Sequence, residues 1–402
     1  MCYATCPRQG ACQNASGEDA MSKRIGIGLV GFGFIGKVHT LAYRSIPLYF
    51  DPCPVEPVLV GVCTSRPETA QKAVRTGGFE FGCNALEELL QRDDIDVIDV
   101  CTPNQMHKEQ VIAALEAGKH VYCDKPLTVT LADAMEIDAA ARSKPELHHG
   151  MAFHCRFIPA VMRAKRMIDA GFLGRVYHFR ATYYHAGYTD PGRPISWRLS
   201  KEAGGGALSD LGSHIIDAMM HLLGGFSRVR ASMETYIPER PVSKGSAETV
   251  PVEVDDYVCI EAELAQGGRG LIEASRFATG TQDGFGFEIY GEKGSLRFDM
   301  MDANYLYAYD DTVPGDELGG MRGYTQIECV QRYPAPSALP SPKLPVGWVR
   351  FHIQSIYDFL SALAEGRCGS ATLFDGIRVQ TVDDAVRRSA GDGRWADVNT
   401  PA

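Results

Sequence analysis

Between residues 24 and 142 short apolar runs alternate with amphipathic stretches. Residues 24–30 are apolar and β-compatible, and the stretch from Lys37 to Tyr43 reads as a helix. The Pro-rich segment 47–57 predicts a loop. Residues 58–63 read as a buried strand, followed by helical segments at 68–76 and 84–91. A strand over 95–101 stops at Thr102-Pro103, and a helix over 105–117 stops at Gly118. A strand over 120–123 and a helix over 131–142 complete the series. Strands alternating with helices predict a parallel, doubly wound sheet.

Beyond Gly150 the periodicity changes. A helix is expected over 158–170, and Val176–Tyr184 alternates at period two. Tyr257–Leu264 and 270–277 are strands joined across Gln266-Gly267-Gly268. Segments 285–290 and 295–298 flank the turn Gly291-Glu292-Lys293-Gly294, and 305–309 is one more strand. Successive hairpins imply a large, mostly antiparallel sheet. Five prolines between 334 and 345 mark an irregular loop, with helices resuming over 352–364 and 375–389. The fold class is therefore α/β plus α+β. The expected organisation is a disordered extension at 1–21, a doubly wound unit at 22–150 and an α+β unit at 151–402.

Composition narrows the setting. The chain has 402 residues, 45% of them hydrophobic, enough for a large core. The net charge of −10 argues against general affinity for nucleic acid or an anionic membrane. No apolar run approaches the about 20 residues of a membrane span. Residues 1–20 are polar, without periodicity and without the apolar core of a signal peptide; Met21 is an alternative start. Twelve scattered cysteines without a C-x-x-C pair fit neither a disulfide framework nor a zinc site, and predict a cytoplasmic protein with reduced thiols.

Four segments carry chemistry. Gly31-Phe32-Gly33-Phe34-Ile35-Gly36, between strand and helix, forms the dinucleotide fingerprint. Gly31 permits the turn, Gly33 admits a pyrophosphate, and Gly36 lets the helix pack closely. The helix N-terminus offers free N–H groups to phosphate. Asp124-Lys125-Pro126 ends a parallel strand, where open α/β sheets place ligands; a loop lysine before a helix is the plain alternative. In Gly204-Gly205-Gly206-Ala207-Leu208-Ser209-Asp210-Leu211-Gly212-Ser213-His214, the four-residue spacing puts Asp210 and His214 on one helical face, as an oriented imidazole or as an N-cap and a core histidine. Thr102-Pro103-Asn104 and His107 follow a strand end and fit either a nicotinamide wall or a simple turn.

Together and in this order, these segments resemble the glucose–fructose oxidoreductase, inositol dehydrogenase and rhizopine-catabolism family (Gfo/Idh/MocA), from about Ser22 to the C-terminus. His39 behind the fingerprint, Ala117-Gly118-Lys119-His120-Val121 and the D-x-G-x-H element at 210–214 belong to the same likeness, with Asp124 where the family usually has Glu. The resemblance implies NAD or NADP as cofactor and hydride transfer to or from a carbinol carbon of a sugar, glycoside or cyclitol, with no metal. It implies His214 as general base, Lys125 as stabiliser of the alkoxide, and Asp210 orienting His214 and binding substrate. His154, Arg156, Tyr183, His185, Trp197 and Arg198 are candidate sugar-binding residues. The second strand ends in Thr64-Ser65-Arg66 without the acid that holds the ribose 2′-hydroxyl of NAD, so Ser65 and Arg66 are candidates for a 2′-phosphate; NAD held through Thr64 or backbone groups is the alternative. A redox-neutral, glycoside-cleaving enzyme of the same fold and a non-catalytic dinucleotide sensor are the competing readings; the intact Lys125, Asp210 and His214 set argues against the sensor. Tyr305, Tyr307 and Tyr309 fall on one sheet face and predict a homodimer or homotetramer packed through that face, unless the loop over 330–348 covers it.

Overall fold

A computed structural model describes residues 22–399, so the expectation for the N-terminal extension lies outside the described residues. Six parallel strands form the first sheet: β1 (Lys23–Val30), β2 (Val55–Cys63), β3 (Phe81–Cys83), β4 (Val97–Val100), β5 (His120–Cys123) and β6 (His149–Met151), in the order β3-β2-β1-β4-β5-β6. The connecting helices are α1 (Phe34–Tyr49), α2 (Pro67–Gly77), α3 (Glu87–Leu90), α4 (His107–Glu116) and α5 (Leu131–Arg142). Val30 pairs with both Cys63 and Val100, and Val100 with Cys123. This register ends the central strands in one line, so the loops at Gly31, Thr64, Thr102 and Asp124 emerge along one edge. The strand order reverses between β1 and β4 at that edge, the place where such sheets bind ligands.

Several boundaries differ from the sequence reading. Pro47 lies inside the last turns of α1, and Val55-Glu56-Pro57 already belong to β2, so the predicted loop is much shorter. Pro57 is tolerated because β3 pairs only with Gly61 to Cys63, leaving that part of β2 on an edge. The helix expected over 84–91 is the single turn α3.

The second sheet follows α6 (Pro159–Asp169). Its strands are β7 (Val176–Tyr184), then, after α7 (Ser213–Leu223), β8 (Phe226–Glu234), β11 (Tyr257–Leu264), β12 (Arg269–Ser275), β13 (Gly284–Gly291), β14 (Gly294–Asp299), β15 (Tyr305–Asp310), β16 (Tyr324–Glu328) and β17 (Ala396–Asp397). A separate hairpin, β9 (Glu239–Pro241) and β10 (Thr249–Pro251), stands apart from them. The order is β16-β15-β14-β13-β7-β12-β11-β8-β17, antiparallel except where β7 runs parallel to β12. Period-two alternation buries Phe179, Ala181 and Tyr183 on the helix side and leaves His178 and Arg180 outward.

Two C-terminal helices, α8 (Trp348–Glu365) and α9 (Leu373–Asp392), tie the halves together. Although it lies far beyond residue 150, α8 packs on α1 and the first sheet: Ile353, Ile356, Phe359 and Leu360 share a core with Ile25, Ile27, Leu29 and Ile46. Phe50 and Tyr357 stack at 3.5 Å, and the Tyr122 and Ser355 hydroxyls lie 2.8 Å apart. The chain thus returns to its first unit. Eight described cysteines carry free thiols. Among the described residues no helix is long and apolar enough to cross a membrane.

Candidate active site

A cleft of about 1440 Å³ opens along the aligned strand ends and runs between the two sheets. One end is built by the glycine turn. Gly31 has φ +94, and a Cβ there would sit 2.7 Å from the Cys101 carbonyl oxygen, so only glycine fits without strain. A Cβ on Gly36 would lie 2.1 Å from the Gly31 carbonyl oxygen, which explains the close approach of α1 to β1. By contrast a Cβ on Gly33 would meet nothing within 4 Å, and Gly33, the N-cap of α1, supplies no side-chain acceptor to the helix. This leaves a cradle of unsatisfied N–H groups with room above it, which fits a dinucleotide pyrophosphate. Gly31, Gly33, Phe34, Ile35, Thr64, Ser65, Arg66, Thr102, Pro103 and Asp124 all line the cleft. The Asn84 amide donates to the Thr64 carbonyl at 2.7 Å and so fixes that loop.

Lys125 stands at the centre, with its side chain 12% exposed. Its Nζ donates to the Asp210 carbonyl at 2.7 Å and to Asp210 Oδ1 at 2.8 Å. Burial, joined by the Arg198 and Arg276 charges and opposed by Asp124, pushes its pKa down to about 8. Asp210 lies on a π-helical turn, Leu208–Gly212, that leads into α7; such turns recur at functional sites. Its other oxygen pairs with the buried Arg276.

His214 lines the same space, almost fully buried, with Nδ1 lacking a hydrogen-bond partner. Burial and the neighbouring Lys125, His154, His352 and His185 hold its pKa well below the ordinary imidazole value. The expected Asp210–His214 contact is not made. Lys125 and Arg276, with Arg198 at 4.0 Å, compete for the Asp210 carboxylate, and these cations outweigh a neutral imidazole.

His154, Tyr183, His185, Trp197 and Arg198 line the second half of the cleft. Four residues expected at the site face elsewhere. Arg156 is sealed in an ion pair with Asp217, at 2.8 and 2.5 Å, and with Asp375 at 3.0 Å, so its charge is spent on joining elements. His107 is buried, its ring nitrogens 3.0 Å from the Pro126 carbonyl and 2.8 Å from that of Thr102. Asn104 donates to the Gly204 carbonyl at 2.9 Å. Gly36 supports the turn without lining the cleft.

Sequence reasoning also missed residues. Arg276 and Asp283 follow β12 and precede β13, and Trp348 and His352 come from the first turns of α8; all four line the cleft. His352 stacks on His154 at 4.0 Å, and His154 meets His214 edge-on at 4.8 Å. A lone arginine ending an alternating strand was the only signal for Arg276. The helix over 352–364 is expected, but nothing local marks Trp348 and His352 as cleft residues, because the place of α8 depends on the chain's return to the first sheet.

Comparison with known proteins agrees with this architecture. The model of the Gfo/Idh/MocA oxidoreductase family with an NAD-binding Rossmann fold matches residues 25–150, and that of the Gfo/Idh/MocA C-terminal domain matches residues 161–297. Levoglucosan dehydrogenase of Pseudarthrobacter phenanthrenivorans is 38% identical over 389 residues, covering 94% of this chain and 98% of that protein. A solved levoglucosan dehydrogenase in complex with NADH and levoglucosan superposes with a TM-score of 0.88 at 38% identity, covering 94% of this chain and 100% of that one. An NAD-binding oxidoreductase from Klebsiella pneumoniae does so with a TM-score of 0.88 at 32% identity, again over 94% and 100%.

Proposed function

Because this chain belongs to the Gfo/Idh/MocA oxidoreductases and carries their NAD-binding Rossmann fold, we propose that it oxidises a carbinol carbon of a sugar, anhydrosugar or glycoside. The carrying observation is the placement of Lys125, Asp210 and His214 where the fingerprint half of the cleft meets the second sheet. When bound, nicotinamide supplies the hydride acceptor. Gly31, Gly33 and the α1 N-terminus would hold its pyrophosphate, and Thr64 to Arg66 its adenosine ribose.

The Lys125 ammonium donates to the carbinol oxygen and offsets the negative charge that grows there as the proton leaves. Asp210 and Arg276 fix where that ammonium stands. His214, kept neutral by its surroundings, is free to accept the carbinol proton. Trp197 and Arg198 offer a flat ring and a guanidinium, stacked at 4.3 Å, for the sugar body.

Arg66 is exposed at the cleft rim and makes no ion pair among the described residues. It is therefore free to meet a 2′-phosphate, so NADP is admitted beside NAD. A cytoplasmic homo-oligomer completes the proposal. The loop over 330–348 is held against α1, with the Ala338 N–H donating to the Tyr49 carbonyl at 2.8 Å, which supports an outer sheet face left for a second copy. A panel of anhydrosugars, hexoses, cyclitols and glycosides with NAD and NADP tests the assignment: net reduced nicotinamide with a sugar supports it, and none with any member overturns it.

A further inference from the structure

His214 receives the proton in the dehydrogenase reading, yet nothing around it lets the proton stay. Its imidazole has no carboxylate partner, and Lys125 and the imidazoles of His154, His352 and His185 crowd it. The opposite arrangement stands in the same cleft. His185 follows directly on β7, and its Nε2 lies 3.0 Å from Asp283 Oδ1. The Tyr183 ring stands beside the same carboxyl. Burial would raise the Asp283 carboxyl, but the His185 hydrogen bond and the neighbouring Tyr183 and His154 outweigh it and hold the group below the usual carboxylate range. His185 is 34% exposed while lining the cleft, so it faces both the reaction space and solvent.

A carboxylate beside an imidazole fixes its tautomer and stabilises its charged form. With Nε2–H donated to Asp283, the lone pair sits on Nδ1, which makes no hydrogen bond among the described residues. The ionisable groups that face this end of the cleft are Lys125, Arg198, Asp210, Arg276, His154, His214, His352, Tyr183 and Asp283. Of these described groups, the only carboxylate bonded to an imidazole is Asp283, since Asp210 is committed to Lys125 and Arg276.

We propose that the Asp283–His185 pair is the outlet for the proton released in the reaction. The inference rests on the dehydrogenase reading. Bound nicotinamide would take up the electron pair of the carbinol C–H bond as hydride, while the O–H electrons form the carbonyl π bond. The O–H proton passes to His214, crosses the cleft through solvent to His185 Nδ1, and leaves to bulk water. Asp283 stays ionised throughout and balances the transient imidazolium.

Two variants test this. His185→Gln keeps a side-chain hydrogen bond to Asp283 but carries no proton. Its kcat should fall about 100-fold, with KM for the sugar and affinity for NAD near wild type. The solvent deuterium isotope effect on kcat should rise, because proton release becomes limiting. In His185→Ala, added imidazole should restore turnover in proportion to its concentration. Wild-type kcat in His185→Gln, or a loss that leaves the isotope effect unchanged and that imidazole does not repair, would overturn the outlet. Absence of NAD reduction by the wild-type protein with every sugar would instead overturn the dehydrogenase reading on which the outlet rests.

Discussion

A buried lysine is stable only as far as its surroundings compensate for lost hydration, and at Lys125 they do so in part. The folded protein lowers its pKa from 10.5 to about 8, so the charged form is disfavoured relative to the unfolded chain. The sign follows directly. Below about pH 8 both states carry the ammonium and the full penalty is present; between about 8 and 10.5 the folded state releases its proton first, and the penalty is relieved as pH rises. Lys125→Met should therefore melt higher than wild type at pH 7, with the difference shrinking as pH rises through that window. The same variant should lose about 100- to 1000-fold in kcat while binding NAD normally. Calorimetric melts and initial rates check both halves, and wild-type turnover would remove Lys125 from the chemistry. Arg66→Ala, measured by titration with each nucleotide, should weaken NADP far more than NAD; equal small effects would make Arg66 a surface charge. The glycines, Lys125, Asp210 and His214 were legible because their chemistry is written locally, in turn geometry and strand-end position. Arg156, Asn104 and His107 carry the same residue chemistry and sit as close to the motifs. Their partners Asp217, Asp375, Gly204 and Pro126 are set by packing, which no local pattern reveals.

Among elements, the ion pair of Arg156 has the largest structural consequence. It joins the turn after β6 to α7 through Asp217 and to α9 through Asp375. Removing one partner leaves a buried charge unpaired, so Arg156→Met should cost about 3–5 kcal/mol in denaturant unfolding. The folded fraction should keep the wild-type KM for sugar; a selective rise in KM with unchanged stability would return Arg156 to the binding site. The long periodic strands and helices were readable from the chain. Short ones were not: β3 and β6 have three residues each, too few to show a period. β17 has two, and its place beside β8 is a tertiary pairing. Pro47 misled because proline usually ends a helix, whereas here α1 runs two residues past it.

At the scale of the molecule, the sheet of the second unit has one face covered by its own helices and another that carries Tyr305, Tyr307 and Tyr309, each half-buried. Static light scattering at micromolar concentration should give a multiple of the 43.9 kDa chain mass, and the mass of one chain would contradict pairing through that face. The central claim is that the cleft between the sheets performs net hydride transfer from a sugar. It is tested most directly by mixing the protein with NAD and levoglucosan, alongside the wider sugar panel, while following the near-ultraviolet band of reduced nicotinamide. The account predicts steady accumulation of reduced nicotinamide with at least one sugar, matched mole for mole by oxidised sugar and lost in Lys125→Met. Consumption of a glycoside without net reduction, or equal accumulation in Lys125→Met, would contradict it.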